Sequence, residues 1–194
     1  PAARLCLKHF EPQHVANFAW ALATSGAGDD ELFRALSEVA LTQVQQFCPQ
    51  GITNLAWAFA TRSVGDPTLF QAVAQVAKVS SESFKPQELA GLAWAMAKSR
   101  TQDLELFRII AKKSSAELGE FSPQSLFNLA WAFATLVIQA SALLREVSFH
   151  AKAKVNDFSS QGLSNLAWSL ATLVVKEPHV IESIAEEALV KFDG

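Results

Sequence analysis

The residues of this 194-residue chain best placed to do chemistry are amides and indoles that return at a fixed interval. Gln13, Asn17 and Trp20 are followed by Gln50, Asn54 and Trp57, then Gln87, Gly91 and Trp94, then Gln124, Asn128 and Trp131, then Gln161, Asn165 and Trp168; each set stands 37 residues after the last. Amides donate and accept hydrogen bonds and an indole stacks, so such a row suits noncovalent recognition, above all of the exposed faces and edges of single-stranded bases. Covalent chemistry has no comparable support. His9, His14, His150 and His179 hold unrelated positions in the 37-residue unit, and there is no phosphate-cradling glycine loop, nucleophile elbow or paired-cysteine metal spacing. The expectation is a non-catalytic chain with no metal and no cofactor.

The elements that must carry this row are helices. Each unit opens on a phenylalanine and a helix start: in Phe121-Ser122-Pro123-Gln124, Ser122 is placed to cap and Pro123 to occupy the first helical position. The phenylalanine can staple onto the fourth residue of the helix, as Phe47 onto Ile52 or Phe84 onto Leu89. After about 13 residues come breakers such as "SGAGDD" and "SVGDP", and then a second helix whose apolar residues, Leu69, Phe70, Val73 and Ala77, recur at helical steps. Taking each opening phenylalanine as a boundary divides the chain into repeats at 10–46, 47–83, 84–120, 121–157 and 158–194, with 1–9 aligning to the end of a preceding one. This predicts an all-α, right-handed α-solenoid of five helix-turn-helix repeats, a fragment of a longer array in which each hairpin is stable through its neighbours. The alanines let helices approach and one tryptophan per repeat supplies bulk, so truncating Trp94 is expected to cost about 3–5 kcal/mol.

Projected on the first helix, Gln50, Asn54, Trp57 and Thr61 share one stripe, opposite Ile52, Leu55 and Phe59. The stripe is either a buried hydrogen-bonded seam between repeats or the floor of a groove. If it is a groove that reads bases, residues identical in every repeat cannot discriminate among them, and a code falls where repeats differ. Two positions vary most: His14, Gly51, Glu88, Ser125 and Gly162 after the Pro-Gln pair or its equivalent, and Ala16, Thr53, Ala90, Phe127 and Ser164 two residues on. The bland alternative is that these are first-turn positions free to drift. Candidate base-reading residues are therefore His14, Asn17, Thr53, Asn54, Glu88, Gly91, Ser125, Asn128, Ser164 and Asn165. Candidate phosphate contacts are Arg34, Arg108 and Arg145, which share a second-helix position, with Lys112, Lys113, Lys152 and Lys154 to extend them.

Bulk charge does not favour a polyanion: the net charge is −3 and the pI about 5.8. No apolar run approaches the roughly 18 residues of a membrane span. Cys6 and Cys48 occupy non-equivalent positions and are expected to be free thiols. The fourth and fifth repeats replace the polar turn by "LVIQAS" and "LVVKEP", so that Val137, Ile138, Val174 and Val175 form an apolar edge, a candidate contact with a protein partner.

The phrase "PQxLxNLAWAFAT" followed by "LFxAxAxxA" resembles the octotricopeptide repeats over residues 10–194, and similar repeats precede the RAP domain in organellar proteins, with more distant kinship to FAST-kinase-like mitochondrial proteins. The resemblance implies a single-stranded RNA binder of the mitochondrion or plastid that stabilises, processes or helps translate transcripts, without catalysis in the repeats. Departures from the pattern are Gly91 for Asn, Lys98 for Thr and Ser160 for Pro. The rival expectation is a scaffold or structural subunit of a large organellar assembly, which uses the same surface for other proteins.

Overall fold

Proline at the first helical position and alanine through the middle favour a helix at the start of each repeat. The computed structural model of the protein describes residues 9–173, together with Leu7 and positions 182, 185 and 186. First helices are α1 (Pro12–Ser25), α3 (Pro49–Arg62), α5 (Pro86–Lys98), α7 (Pro123–Thr135) and α9 (Ser160–Thr172), starting 37 residues apart. Second helices are α2 (Asp30–Thr42), α4 (Pro67–Val79), α6 (Leu104–Glu117) and α8 (Ser141–Ala153), each running into a 3-10 turn that leads to the next repeat. No strand occurs among the described residues. Successive first helices pack along their lengths and successive second helices touch more sparingly, which makes a helical repeat solenoid.

Small residues permit the first-helix contact: Ala56, Ala58, Ala60, Ala93, Ala95, Ala97, Ala130, Ala132 and Ala134 are all buried. Aromatic bulk comes from phenylalanine. Phe33 meets Phe59 edge-on at 5.2 Å between ring centroids, and Phe107 meets Phe133 at 5.1 Å. The opening residues Phe47, Phe84, Phe121 and Phe158 are buried with Ile52, Leu89, Leu126 and Leu163, as a staple requires. The repeat closes on that phenylalanine through its carbonyl as well. Gln43 Nε2 donates to Phe10 O at 3.0 Å, and Lys154 Nζ, three repeats later at the same position, donates to Phe121 O at 2.7 Å.

The turn between the two helices is equally periodic. Gly26, Ser63, Arg100 and Val137, again 37 apart, are all left-handed, with φ of 69°, 55°, 57° and 54°. In three of them the next residue closes a Schellman-type bond, Val64 N to Phe59 O, Thr101 N to Met96 O and Ile138 N to Phe133 O. Three of the described second helices, α2, α4 and α6, begin under an aspartate: Asp29, Asp66 and Asp103 accept from Leu32 N, Leu69 N and Leu106 N at 2.8–2.9 Å. Asp66 and Asp103 also clamp neighbouring second helices together. Ser37 Oγ donates to Asp66, and Lys78 Nζ reaches Asp103 at 3.0 Å and Glu105 at 3.1 Å. The hydrogen bonds to Asp103 and Glu105 hold the Lys78 ammonium above its ordinary pKa. Burial pushes Asp103 up, yet the Leu106 N–H and Lys78 together hold its carboxyl below the usual value. No helix among the described residues is long and apolar enough to cross a membrane.

Candidate nucleic-acid interface

Ile52, Leu55 and Phe59 are fully buried, so the opposite stripe of each first helix is turned outward. Gln13, Gln50, Gln87, Gln124 and Gln161 are exposed, as is Asn17, while Asn54, Asn128 and Asn165 are half-buried. None of these four asparagine side chains hydrogen-bonds to another described residue, and none is sealed from solvent. The stripe is therefore a groove floor and not the buried seam that was the other expectation: a seam would have amides paired across repeats, whereas these face open space.

The tryptophans lie along this floor. Trp20, Trp57, Trp94 and Trp131 form a ladder with successive ring centroids 6.4, 6.4 and 6.1 Å apart and planes inclined by 28–36°. Their role as core bulk is thereby corrected. Trp20 is 46% exposed and Trp168 48%, and the three between are half-buried, packed against one another and against the edge of the core. Trp168 has no ring partner among the described residues.

Between α3, α5 and α7 the floor deepens into a groove of about 440 Å³, with Asn54 and Trp57 on one side, Gly91 in the middle and Asn128 on the other. Lys85 and Glu88 are the charged residues at its wall. Lys85 stands just before Pro86, at the helix-start position that precedes the Pro-Gln pair, and not at either of the variable positions singled out from the sequence. Repeat comparison finds it only by asking which start residues carry charge, since its equivalents are Glu11, Cys48, Ser122 and Ser159.

The positions proposed to vary with a code have local partners. The backbone N–H of Glu11 donates to His14 Nδ1 at 3.3 Å, and that of Lys85 to Glu88 Oε2 at 2.7 Å, so both side chains serve the helix start. Ser125 is buried beside the capping Ser122 Oγ at 3.0 Å. Thr53 Oγ1 donates to Glu88 O at 3.2 Å, its methyl leaning where a Cβ on Gly91 would stand, 2.8 Å away. Gly162 is buried under Phe127, whose Cδ1 would lie 2.8 Å from an added Cβ. Ser164 is exposed. The asparagines and indoles are left as the groups free to meet a ligand.

The arginines are not brought to this groove. Arg34, Arg108 and Arg145 are exposed on second helices, and Arg108 lines a different groove with Val137 and Ile138. Lys113 and Lys154 are engaged with backbone carbonyls, at Glu82 and at Gly119 and Phe121, while Lys112 and Lys152 are exposed. Of the apolar edge, Val137 is 64% exposed and Ile138 packs half-buried against the core; Val174 and Val175 lie outside the described residues. Cys48 is an exposed free thiol.

The sequence profile of the RNA-editing substrate-binding complex 6 protein family aligns with residues 60–193, well over half of the chain. No curated protein matches it.

Proposed function

We propose that this chain, which belongs to the RNA-editing substrate-binding complex 6 protein family, is a non-catalytic helical-repeat subunit of an RNA-editing complex whose tryptophan-lined groove holds single-stranded RNA. The observation that carries the reading is the ladder from Trp20 to Trp131 flanked by asparagine amides with no partner among the described residues. Base-on-indole stacking contributes about 1–3 kcal/mol per base and tolerates any sequence. The indoles already touch one another, so bases lie across the outer faces and edges of the ladder and not between its rungs. Asn17, Asn54, Asn128 and Asn165 then donate to and accept from base edges, and Lys85 meets a phosphate. The arrangement selects single strands because a duplex hides those edges.

An organellar setting, the mitochondrion above the plastid, belongs to this proposal, as does an octotricopeptide-like mode of RNA binding with transcript stabilisation or processing as its outcome. The test is ultraviolet crosslinking of the full-length protein in its native cells, with crosslinked peptides mapped. Crosslinks at peptides holding Trp57, Trp94 or Trp131 are the expected result. Crosslinks confined to second helices, or none while a protein complex co-purifies, would overturn the groove assignment and leave a protein scaffold.

A further inference from the structure

A second groove lies on the other layer of the solenoid, and a comparison of equivalent positions shows how it is made. It runs along α6 from Leu104 to Ser115 and is bounded by the turn 136–140 and the start of α8, with a volume of about 630 Å³. Its counterpart one repeat earlier, of about 480 Å³, is lined along α4 only from Pro67 to Gln71. The difference is the clamp. Lys78, Asp103 and Glu105 bridge α4 and α6, and their equivalents 37 residues on are Ser115, Ala140 and Ala142. The other clamp, Ser37 to Asp66, likewise becomes Ala111 and Ala140. All four replacements line the enlarged groove. Polar staples have been exchanged for small side chains, and three helical turns of α6, roughly 16 Å, stand open.

Exchange at the rim is just as directional. Gln71 and Gln75 become Arg108 and Lys112, both exposed and without an ion-pair partner among the described residues, and no carboxylate lines the groove. Leu104 is 59% exposed beside it and Val137 64%, the latter a branched residue in the left-handed turn position that neighbours fill with Gly26, Ser63 and Arg100. Ala140 leaves α8 as the one described second helix without a side-chain cap. Apolar floor, cationic rim and an uncapped helix start are complementary to one ligand chemistry. We infer that the α6–α8 groove docks an acidic amphipathic segment of another polypeptide, its apolar face on Leu104, Ala111 and Val137 and its carboxylates on Arg108 and Lys112. One carboxylate takes the place of the missing aspartate cap. A nucleic acid is disfavoured because the floor offers no exposed aromatic face; Phe107 and Phe133 are buried beneath it.

The test selects 16-residue peptides from a random displayed library on the full-length protein, followed by anisotropy titration of the enriched peptides and of a 12-nucleotide oligouridylate. Expected are peptides with alternating Leu or Ile and Glu or Asp at helical spacing, weakened at least tenfold by R108E/K112E. They should be weakened equally by S115K/A140D/A142E, which rebuilds the clamp found one repeat earlier. That triple variant restores a cap, so an unchanged or raised melting temperature separates blocked docking from misfolding. Enrichment of neutral or basic peptides, no enrichment, binding indifferent to the rebuilt clamp, or displacement of the peptide by oligouridylate would each overturn the inference. None of these outcomes depends on the tryptophan groove.

Discussion

Phe127 and Gly162 show why single side chains that differ between repeats need not spell a message. Both occupy positions at which a base code was expected, yet the Phe127 ring lies where a Cβ on residue 162 would go, 2.8 Å away. Large at one site therefore demands nothing at the other. Gly162→Ala is expected to lose about 1–3 kcal/mol by overpacking, despite alanine's better helix propensity. In Gly162→Ala/Phe127→Ala most of the overpacking loss disappears, and a denaturant-unfolding double-mutant cycle should show coupling above 0.5 kcal/mol. Additive losses would mean the two do not meet. The tryptophans yield a contrasting figure. Trp94 is held by ring contacts at 6.4 and 6.1 Å and is half-buried, so truncation to alanine should cost about 1–3 kcal/mol from two aromatic pairs, less than removal of a core tryptophan.

Elements were the most legible part of this protein, for a physical reason. Proline before Gln13, Gln50, Gln87 and Gln124 is suited to the first position of a helix and not to its interior, and α1, α3, α5 and α7 begin at those prolines. Ser160 replaces proline without moving the start of α9, because Ser159 supplies the cap to Gly162 N at 3.1 Å. What the pattern left open was whether the Asn–Trp stripe faces a neighbour or solvent: helical projection gives direction about a helix's own axis but does not locate the next helix. Clamps between second helices were illegible too, since Lys78 and Asp103 are 25 residues apart and their meeting is a property of the stack. That pair sets a pH dependence. Asp103 is held below its ordinary value, so its contribution is full above the unfolded carboxyl value and is lost as pH falls through the folded one. Lys78 is held above its ordinary value, so its contribution is full below the unfolded ammonium value and is lost as pH rises through the folded one. The stability gap between the protein and Lys78→Met should thus be widest near neutrality and narrow below the carboxylate range and above the lysine range. A gap flat from acid to alkali would show that the ion pair does not contribute. In the turn before α8, Val137→Gly should raise stability by about 1 kcal/mol, because a branched side chain at φ 54° is strained and glycine is not.

At the scale of the molecule, the residues expected to meet bases and those expected to meet phosphates lie on two different layers. Indoles and free amides lie on the first-helix layer, and arginines with the apolar turn lie on the second. This separation bears on how RNA would be held by a chain of net charge −3. The wall of the tryptophan groove carries one lysine, Lys85, with Glu88 nearby, so few counterions would be displaced from a bound single strand. Each phosphate neutralised on a single strand contributes about −0.7 to the slope of log affinity against log salt. Binding through the first-helix groove is therefore expected to show a slope near −1, with stacking supplying most of the affinity. Trp57→Ala/Trp94→Ala should then lower affinity by about 10- to 100-fold while leaving that slope unchanged, read by titration of a labelled 12-nucleotide strand between 50 and 200 mM salt, on the order of the range over which such slopes are resolved. A slope of about −3 or steeper, insensitive to the tryptophans and abolished by Arg34→Ala/Arg108→Ala/Arg145→Ala, would move the RNA to the second-helix layer. The ladder would then be a packing device, and the repeated amides beside it would need another ligand.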